Sequence, residues 1–195
     1  MSDGLKVKGY LCFPYGFDLP VPELKASISR FYASNEAELP ITKIASSIDP
    51  ETKDVRPFKW PVLIYCRGGI GKIGRVKTHW LEQFSKFGHI IFAPSYRGTE
   101  GGEGRDEFGG QDKDDVLSAY KLLQSLPFVD SSRISVMGFS RGSINAAHTA
   151  AEIAKVHKLI FLERSLGPGT DLCGTDRPAQ DAQTRHWRLP EQKKA

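Results

Sequence analysis

The chain alternates short apolar runs with stretches in which apolar residues recur at helical spacing, and this pattern is clearest from residue 61 to residue 162. A short continuous apolar run is typical of a strand that is covered on both faces. Strands that alternate with helices predict a parallel sheet with right-handed crossovers, so the predicted fold class is α/β with helices on both faces of the sheet. The predicted strands are Val62–Cys66, His89–Ala93, Ile134–Met137 and Leu159–Leu162, and we expect Ile64, Ile91, Val136 and Ile160 to lie on adjacent parallel strands.

Helices are predicted between these strands. The second helix begins at Asp112, Asp114 and Asp115, where acids suit the positive end of the helix dipole, and we interpret them as helix-start charges rather than catalytic acids. A third helix follows Ser140 and is rich in alanine, which has the highest helix propensity. The residues at helical spacing are Val76, Trp80, Phe84 and Phe87 in the first helix and Val116, Ala119, Tyr120 and Leu123 in the second.

The N-terminal third has a weaker pattern. Residues Leu5–Cys12 alternate apolar and polar positions, which predicts a half-exposed strand. Residues 13–60 contain many prolines and are interpreted as an irregular excursion of no assigned function, with one possible strand at Leu24–Tyr32.

Composition limits the classes of function. A chain of 195 residues is enough for one domain, and its formal net charge of +4 is mild, with basic residues scattered among acids. This distribution does not support a nucleic-acid or membrane partner, and no apolar run approaches membrane-spanning length. The cysteines Cys12, Cys66 and Cys173 lack the spacing of a metal site, so we expect no bound metal. Their odd number and wide spacing indicate a reducing compartment, and we expect the protein in the cytoplasm.

The sequence Gly138-Phe139-Ser140-Arg141-Gly142 has the pattern G-x-S-x-G between a predicted strand and a predicted helix. That context is typical of a nucleophile elbow, where a sharp turn lifts the serine hydroxyl above the sheet edge. The glycines are needed because side chains two residues away from the serine would collide with neighbouring elements. Ser140 is therefore the candidate nucleophile, and the simpler alternative is an ordinary glycine-rich turn between strand and helix.

A second motif supports a different class of function. The stretch Gly69–Gly74 fits G-x-G-x-x-G after a strand and before a helix, which is the dinucleotide fingerprint. Arg97, at the end of the following strand, is a candidate partner for a 2′-phosphate, so an NADP-binding protein is the alternative. The pattern by itself is weak, and an acid for the ribose is missing.

Residues 3–162 resemble the catalytic domain of the prolyl oligopeptidase-like serine peptidases, which belong to the α/β-hydrolase superfamily. Arg67 departs from the family, because many relatives carry a histidine before the paired glycines. The excursion at 13–60 is longer than expected, and an N-terminal propeller has no room in this chain. The matching stretches are DGLKVKGYL, PVLIYCRGG, IIFAPSYRGTEGGEG, DKDDV, PFVDSSRI and GFSRGS.

The resemblance implies a serine hydrolase that cleaves peptide or amide bonds through an acyl-enzyme on Ser140, without a cofactor. In this fold backbone N–H groups stabilise the oxyanion, here those of Arg141 and of Gly69 or Ile70. The alternatives are an esterase acting on small esters, or a catalytically inactive remnant. The oligomeric state stays open.

Three side chains near the predicted site have alternative interpretations. Tyr96 is either a further hydroxyl donor to the oxyanion or a packed aromatic residue at the strand end. Arg67 and Arg97 either bind a substrate carboxylate or, as we favour, brace loops or face solvent.

The catalytic acid and base follow the serine along the chain in this fold. His148 lies on the helix of Ser140 and is expected to point away from the hydroxyl, and His157 precedes the next strand. His186 is the third candidate, with Asp171, Asp176 or Asp181 as the acid. Because these positions show no strand pattern, the triad is predicted to be incomplete.

The chain is thus divided at residue 162. Residues 1–162 are expected to form the N-terminal part of a catalytic domain that is truncated after the strand following the nucleophile helix. Residues 163–195 lack apolar periodicity and are expected to be poorly ordered. Degenerate codons read one base later permit a string that resembles the family's continuation, so we also consider an out-of-frame tail.

Overall fold

The computed structural model describes residues 3–17, 19–32, 44–45 and 59–162, with residues 44–45 described by their backbone. These residues form one mixed α/β arrangement of strands and helices. In chain order the elements are β1 (Gly9–Phe13), α1 (Val21–Tyr32), β2 (Ile44–Ala45), β3 (Trp60–Cys66), α2 (Thr78–Ser85), β4 (Ile90–Pro94), α3 (Lys113–Ser125), β5 (Val129–Phe139), α4 (Gly142–Glu152) and β6 (Leu159–Leu162).

The strands form a sheet in the order β2-β1-β4-β3-β5-β6. Strand β1 runs antiparallel to β4, and every other neighbouring pair is parallel. The register aligns Leu63 with Ile91, Ile64 with Val136, and Met137 with Ile160. The prediction that Ile64, Ile91, Val136 and Ile160 lie on adjacent parallel strands is therefore confirmed.

Helices cover both faces of this sheet. Helices α1, α3 and α4 pack on one face, where Leu24, Val116 and Ala146 are buried in the same core as Ile64. Helix α2 packs on the other face, where Leu81 is buried with Ile91. Successive strand residues point to opposite faces, so the continuous apolar runs supply both cores.

The segment Leu24–Tyr32 is helical, so its prediction as a possible strand was wrong. Helix α1 buries Leu24 and Ile28, which are four residues apart and therefore lie on one face of a helix. Pro22 lies in the first turn, where a missing backbone N–H costs nothing. The excursion therefore contains one regular helix and the short strand β2, while residues 33–43 and 46–58 lie outside the described residues.

The limits and faces of two other elements differ from expectation. Strand β1 begins at Gly9 rather than Leu5. Helix α2 ends at Ser85, and Trp80 and Phe87 are exposed, whereas Leu81 is fully buried. The side of α2 that packs on the sheet is therefore the one that carries Leu81, and not the predicted one that carries Trp80.

None of the helices formed by the described residues is long and apolar enough to cross a membrane. The predictions for residues 163–195, including the poorly ordered and out-of-frame tail, fall outside the described part of the chain.

Replacement of a core isoleucine tests the central position of β3. Ile64→Ala is expected to lower the free energy of unfolding by about 2–5 kcal/mol, because Ile64 is fully buried and its loss leaves a cavity. The matched control is Ile73→Ala, because Ile73 is 85% exposed and its replacement should change the free energy by about 0.5 kcal/mol or less. Urea unfolding followed by circular dichroism measures both, and equal midpoints would contradict the assigned core.

Candidate active site

Ser140 lies at the carboxyl end of β5, immediately before α4. Its φ of +53° is in the left-handed region, which costs a residue with a side chain about 1–2 kcal/mol. Two backbone hydrogen bonds hold this turn: the Ser140 N–H donates to the Leu162 carbonyl at 3.3 Å, and the Ser143 N–H donates to the Ser140 carbonyl at 2.9 Å. The serine therefore sits on a sharp strand-to-helix turn, as its sequence motif predicts.

The glycines flanking Ser140 are required by close packing. A Cβ on Gly138 would lie 2.5 Å from the Cα of Ser143, and a Cβ on Gly142 would overlap the backbone carbonyl of Cys66. Both contacts are with main-chain atoms that a rotamer change cannot move. Glycine at both positions therefore allows α4 to follow β5 at this angle and to pack against β3.

The loop after β3 lies directly against the serine. A Cβ on Gly68 would be 3.1 Å from the Cβ of Ser140 and 2.9 Å from the carbonyl oxygen of Phe139. Gly69 has a φ of +72° and turns the chain away towards Gly74. The structure thus packs the loop that carries the predicted positions Gly69 and Ile70 against Ser140 at Gly68.

The Arg141 side chain folds back into the protein and is buried. Its guanidinium donates to the Gly69 carbonyl at 3.0 Å, to a carboxylate oxygen of Asp106 at 3.0 Å and to Asp112 at 2.9 Å. Burial lowers the pKa of this guanidinium, but the two carboxylates outweigh that effect and hold it above its ordinary value. The residue after the proposed nucleophile is therefore tied by its own side chain to the loop opposite.

Asp112 lies at the start of α3, as its interpretation as a helix-start charge implies, and it is also fully buried. Burial raises the pKa of its carboxyl group, but hydrogen bonds from Asn145, the Gly109 N–H and Arg141 more than offset this and lower the pKa below its usual value. Its carboxylate joins α4 to the loop before α3, which is a structural role.

Tyr96 lies beneath the site with a φ of +62° and is fully buried. The guanidinium carbons of Arg67 and Arg141 lie over its ring, 4.5 and 5.0 Å from the centroid. Its hydroxyl donates to the Arg67 carbonyl at 3.2 Å, and burial raises its pKa well above the ordinary value. Of the two interpretations of Tyr96, the structure fits the packed aromatic residue.

Arg97 is also buried and makes two hydrogen bonds to one carboxylate. Its Nε and Nη2 donate to Oδ1 of Asp115 at 3.1 and 2.8 Å, and Nη2 also donates to Asp3 at 3.0 Å. Asp115 lies in the first turn of α3, as predicted, and it is also the buried partner of Arg97. Arg97 braces its loop, as we favoured from the sequence, and is not presented to a nucleotide phosphate.

The glycine-rich stretch Gly69–Gly74 does not adopt the geometry that a dinucleotide fingerprint needs. The Gly74 N–H donates to the carbonyls of Ile70 and Gly71, both at 3.2 Å, so the stretch closes into its own turn. Helix α2 begins only at Thr78, which separates its N-terminus from the glycines. A fingerprint places the pyrophosphate on a helix that the glycines themselves open, so the NADP-binding alternative has no support here.

In the described part of the chain, no histidine side chain is hydrogen-bonded to Ser140. His148 lies on α4 with its Nε2 4.0 Å from Glu152, and the backbone N–H of His157 donates to the Ile134 carbonyl. His186 and its candidate acids Asp171, Asp176 and Asp181 lie outside the described residues. The base and the orienting acid are not assigned.

The sequence reasoning missed one feature of the site, the ionic network beneath it. Asp106 and Asp112 share Arg141, and Arg67 lies 3.8 Å from Asp106. The available signal was the placement of charges within glycine-rich loops, since charged residues are rarely buried unless they are paired. Spacing along the chain cannot pair residues that are 29 or 35 positions apart.

Comparisons with known proteins identify a family to which the chain is similar. Residues 76–172 match the prolyl oligopeptidase family. The chain is 44% identical over 97 residues to the uncharacterized peptidase YtmA of Bacillus subtilis, a match covering 50% of this chain and 38% of that protein. It is 32% identical over 98 residues to dipeptidyl-peptidase 5 of Porphyromonas gingivalis, covering 45% of this chain and 14% of that protein.

A solved structure shares the fold. The chain is similar to Est1E of Butyrivibrio proteoclasticus with ferulic acid bound, with a TM-score of 0.53 and 17% identity over 82% of this chain and 49% of that chain. The α/β-hydrolase fold expected from the sequence is therefore confirmed. The matched region spans well under half the length of either curated relative, 38% and 14%.

Replacement of Asp112 tests the buried ionic network through its pH dependence. Because the native pKa of Asp112 lies below the unfolded value of about 3.9, its carboxylate stabilises the fold above that pH and loses this effect as the pH falls through the native pKa. Asp112→Asn should therefore destabilise the protein at pH 7, and the difference from wild type should shrink towards pH 3.

Urea unfolding at a series of pH values measures this difference. Asp114→Asn in the same helix turn is the matched control, since the Asp114 carboxylate makes no hydrogen bond to the other described residues. Asp130, whose pKa is lowered to about 2 by Ser132 and Arg133, titrates at lower pH in all three proteins and cancels in the comparison. A difference that stays constant with pH would contradict the assignment.

Replacement of Gly142 tests the close crossing of α4 and β3. Gly142→Ala should lower the free energy of unfolding by about 3 kcal/mol, because the added methyl group overlaps backbone carbonyls of a buried strand. In Gly71→Ala the new methyl group meets open space, and the positive φ alone should cost about 1–2 kcal/mol. Thermal or urea unfolding ranks the two, and a smaller effect at Gly142 would contradict the crossing.

Proposed function

We propose that the chain, whose residues 76–172 match the prolyl oligopeptidase family, is a serine hydrolase that cleaves peptide or amide bonds through an acyl-enzyme on Ser140. The observation that carries the proposal is the positive φ of Ser140 on the tight turn between β5 and α4. Backbone strain of this kind persists only where the surrounding structure enforces it, and it clusters at functional sites. We therefore assign the turn as a nucleophile elbow.

Acylation begins when Ser140 Oγ attacks the scissile carbonyl carbon and passes its proton to a base. The carbonyl oxygen becomes an oxyanion, which needs preorganised donors. We propose the backbone N–H of Arg141, at the start of α4, and a loop N–H, that of Gly69 or alternatively Ile70. Gly68 supports this assignment because it packs against Ser140 and so holds the loop beside the hydroxyl.

The tetrahedral intermediate then collapses, the C–N bond breaks and the amine leaves with a proton returned by the base. Water, deprotonated by the same base, attacks the acyl-enzyme and releases the acid product and Ser140. These steps need no cofactor. From the sequence the triad is predicted to be incomplete, and His186 with one of the aspartates named above is a candidate base that lies outside the described residues.

The class of substrate is proposed from the similarity to the family. A peptide is the proposed substrate, and a small ester is the alternative, because the same serine and oxyanion donors cleave esters. A panel of matched peptide anilides and esters distinguishes the two by their kcat/KM ratio. We propose a cytoplasmic location, in keeping with the widely spaced cysteines.

A fluorophosphonate probe tests the nucleophile. Wild-type protein is expected to form a covalent adduct on Ser140, detected as a mass increase on the peptide that contains residues 138–142. Ser140→Ala should lose this adduct, because the attacking oxygen is absent. Ser143→Ala, three residues further along the chain and also changed from serine to alanine, is the matched control and should still label.

A catalytically inactive remnant is expected not to react with the probe. Absence of labelling in folded wild-type protein, judged by circular dichroism, would overturn the proposed function and favour a non-catalytic remnant. Labelling that persists in Ser140→Ala would show that another residue is the nucleophile.

A further inference from the structure

Arg67 is the buried cation that the proposed chemistry leaves unexplained. Its side chain is 3% exposed, yet the nearest carboxylate oxygen, that of Asp106, is 3.8 Å away. Burial lowers the pKa of Arg67, whereas Arg141 has two close carboxylates and a raised pKa. A charge that is buried without a close counter-ion is costly, so the contacts that Arg67 does make are informative.

Those contacts are mainly with backbone carbonyl groups of two loops. Nη1 of Arg67 lies 3.2 Å from the Gly69 carbonyl oxygen and 3.4 Å from that of Gly68. Nη2 donates to the Ser95 carbonyl at 2.5 Å and to the Thr99 hydroxyl at 3.3 Å. One planar guanidinium therefore joins the loop beside Ser140 to the loop that follows β4.

The two carbonyl groups near Nη1 belong to the two peptides that carry the candidate oxyanion donors. The Gly69 N–H shares a planar peptide with the Gly68 carbonyl, and the Ile70 N–H shares one with the Gly69 carbonyl. Fixing either oxygen therefore fixes the direction of the N–H on the opposite side of the same peptide. A cation at the oxygen also polarises the peptide and strengthens its N–H as a donor.

The far end of this connection is anchored in the N-terminal segment. The Ser95 N–H and hydroxyl both donate to the Lys8 carbonyl at 3.0 Å. The Glu103 N–H donates to the Lys6 carbonyl at 2.9 Å, and the Lys6 N–H donates back to the Glu103 carboxylate at 2.8 Å. The loop against which Arg67 braces is thus itself held at several points.

We propose that Arg67 is a positioning residue that holds and polarises the Gly68–Gly69 and Gly69–Ile70 peptides, so that the loop N–H is aimed at the oxyanion formed on Ser140. This inference rests on the proposed function. It does not depend on which of the two N–H groups donates. Arg67 acts through the peptides and does not touch the substrate.

The test compares Arg67→Lys and Arg67→Met with Arg97→Lys as the matched control. Lysine keeps the charge but cannot span the Gly69 and Ser95 carbonyls with a planar fork, and methionine removes the charge as well. Arg97 is equally buried, but it contacts carboxylates away from Ser140, so its replacement reports the general cost of losing a buried guanidinium.

Fluorophosphonate inactivation measured over a range of probe concentrations separates binding from chemistry. Both Arg67 variants should lower the maximal rate of inactivation by about 10–100-fold with little change in the half-saturating concentration. This is less than the roughly 100–1000-fold loss on removing an oxyanion donor, because the loop N–H is misdirected but still present. Arg97→Lys should lower the melting temperature and leave both kinetic constants near the wild-type values. Unchanged rates in folded Arg67 variants would overturn the inference.

Amide hydrogen exchange supplies a readout that does not require activity. The backbone of residues 68–74 should exchange faster in both Arg67 variants than in wild type or Arg97→Lys, while β3 and β5 exchange at the wild-type rate. Exchange that is unchanged at 68–74 would contradict the inference. A wild-type protein that fails to label, with exchange accelerated as expected, would refute the proposed function while leaving the loop-holding role of Arg67 supported.

Discussion

The stacking of two guanidinium groups on the buried ring of Tyr96 is the interaction on which the site depends. Arg67 comes from the end of β3 and Arg141 from the start of α4, while Tyr96 follows β4. Three strand ends of the sheet therefore meet at one aromatic ring. The two cations repel one another, and Asp106 and Asp112 offset that repulsion from the loop before α3. The ring and these acids together reduce the cost of burying the two cations.

Two of the non-glycine residues with positive φ lie in the same place. Tyr96 and Ser140 both have positive φ, and each follows the carboxyl end of a strand that neighbours β3. The cost of about 1–2 kcal/mol at each residue is offset by contacts that a relaxed backbone would lose. For Tyr96 these include the hydrogen bond from its hydroxyl to Arg67. For Ser140 they are the backbone hydrogen bonds with Leu162 and Ser143.

Features encoded locally could be predicted from the sequence. The apolar runs predicted β3, β4 and the apolar part of β5 because a strand buried on both faces needs apolar residues at every position. The same run predicted β6, although Leu159 and Phe161 of that strand are exposed. The glycines around Ser140 predicted the turn because they reflect close contacts within a few residues. Segment Leu24–Tyr32 was mistaken because Leu24 and Ile28, separated by four residues, satisfy both an alternating and a helical period.

The contacts of the buried charges could not be predicted in that way. Arg97 and Asp115 are 18 residues apart and Arg97 and Asp3 are 94 apart, so only the assembled sheet determines their pairing. The acids before and within α3 are also favoured at a helix N-terminus by the helix dipole. This local explanation was sufficient for the sequence, so it gave no reason to expect that they also pair with arginines. Local electrostatics and tertiary burial favour the same residue type there, and sequence patterns cannot separate the two causes.

The close contact between Gly142 and the Cys66 carbonyl makes the reactivity of the proposed nucleophile depend on completed folding. The turn at Ser140 is enforced only when β3 lies beside β5 and α4 has docked across it. Before that pairing forms, nothing keeps Ser140 in the left-handed region, and it is an ordinary serine with a relaxed backbone. A newly made or partly unfolded chain would therefore lack the turn on which the proposed role of Ser140 depends.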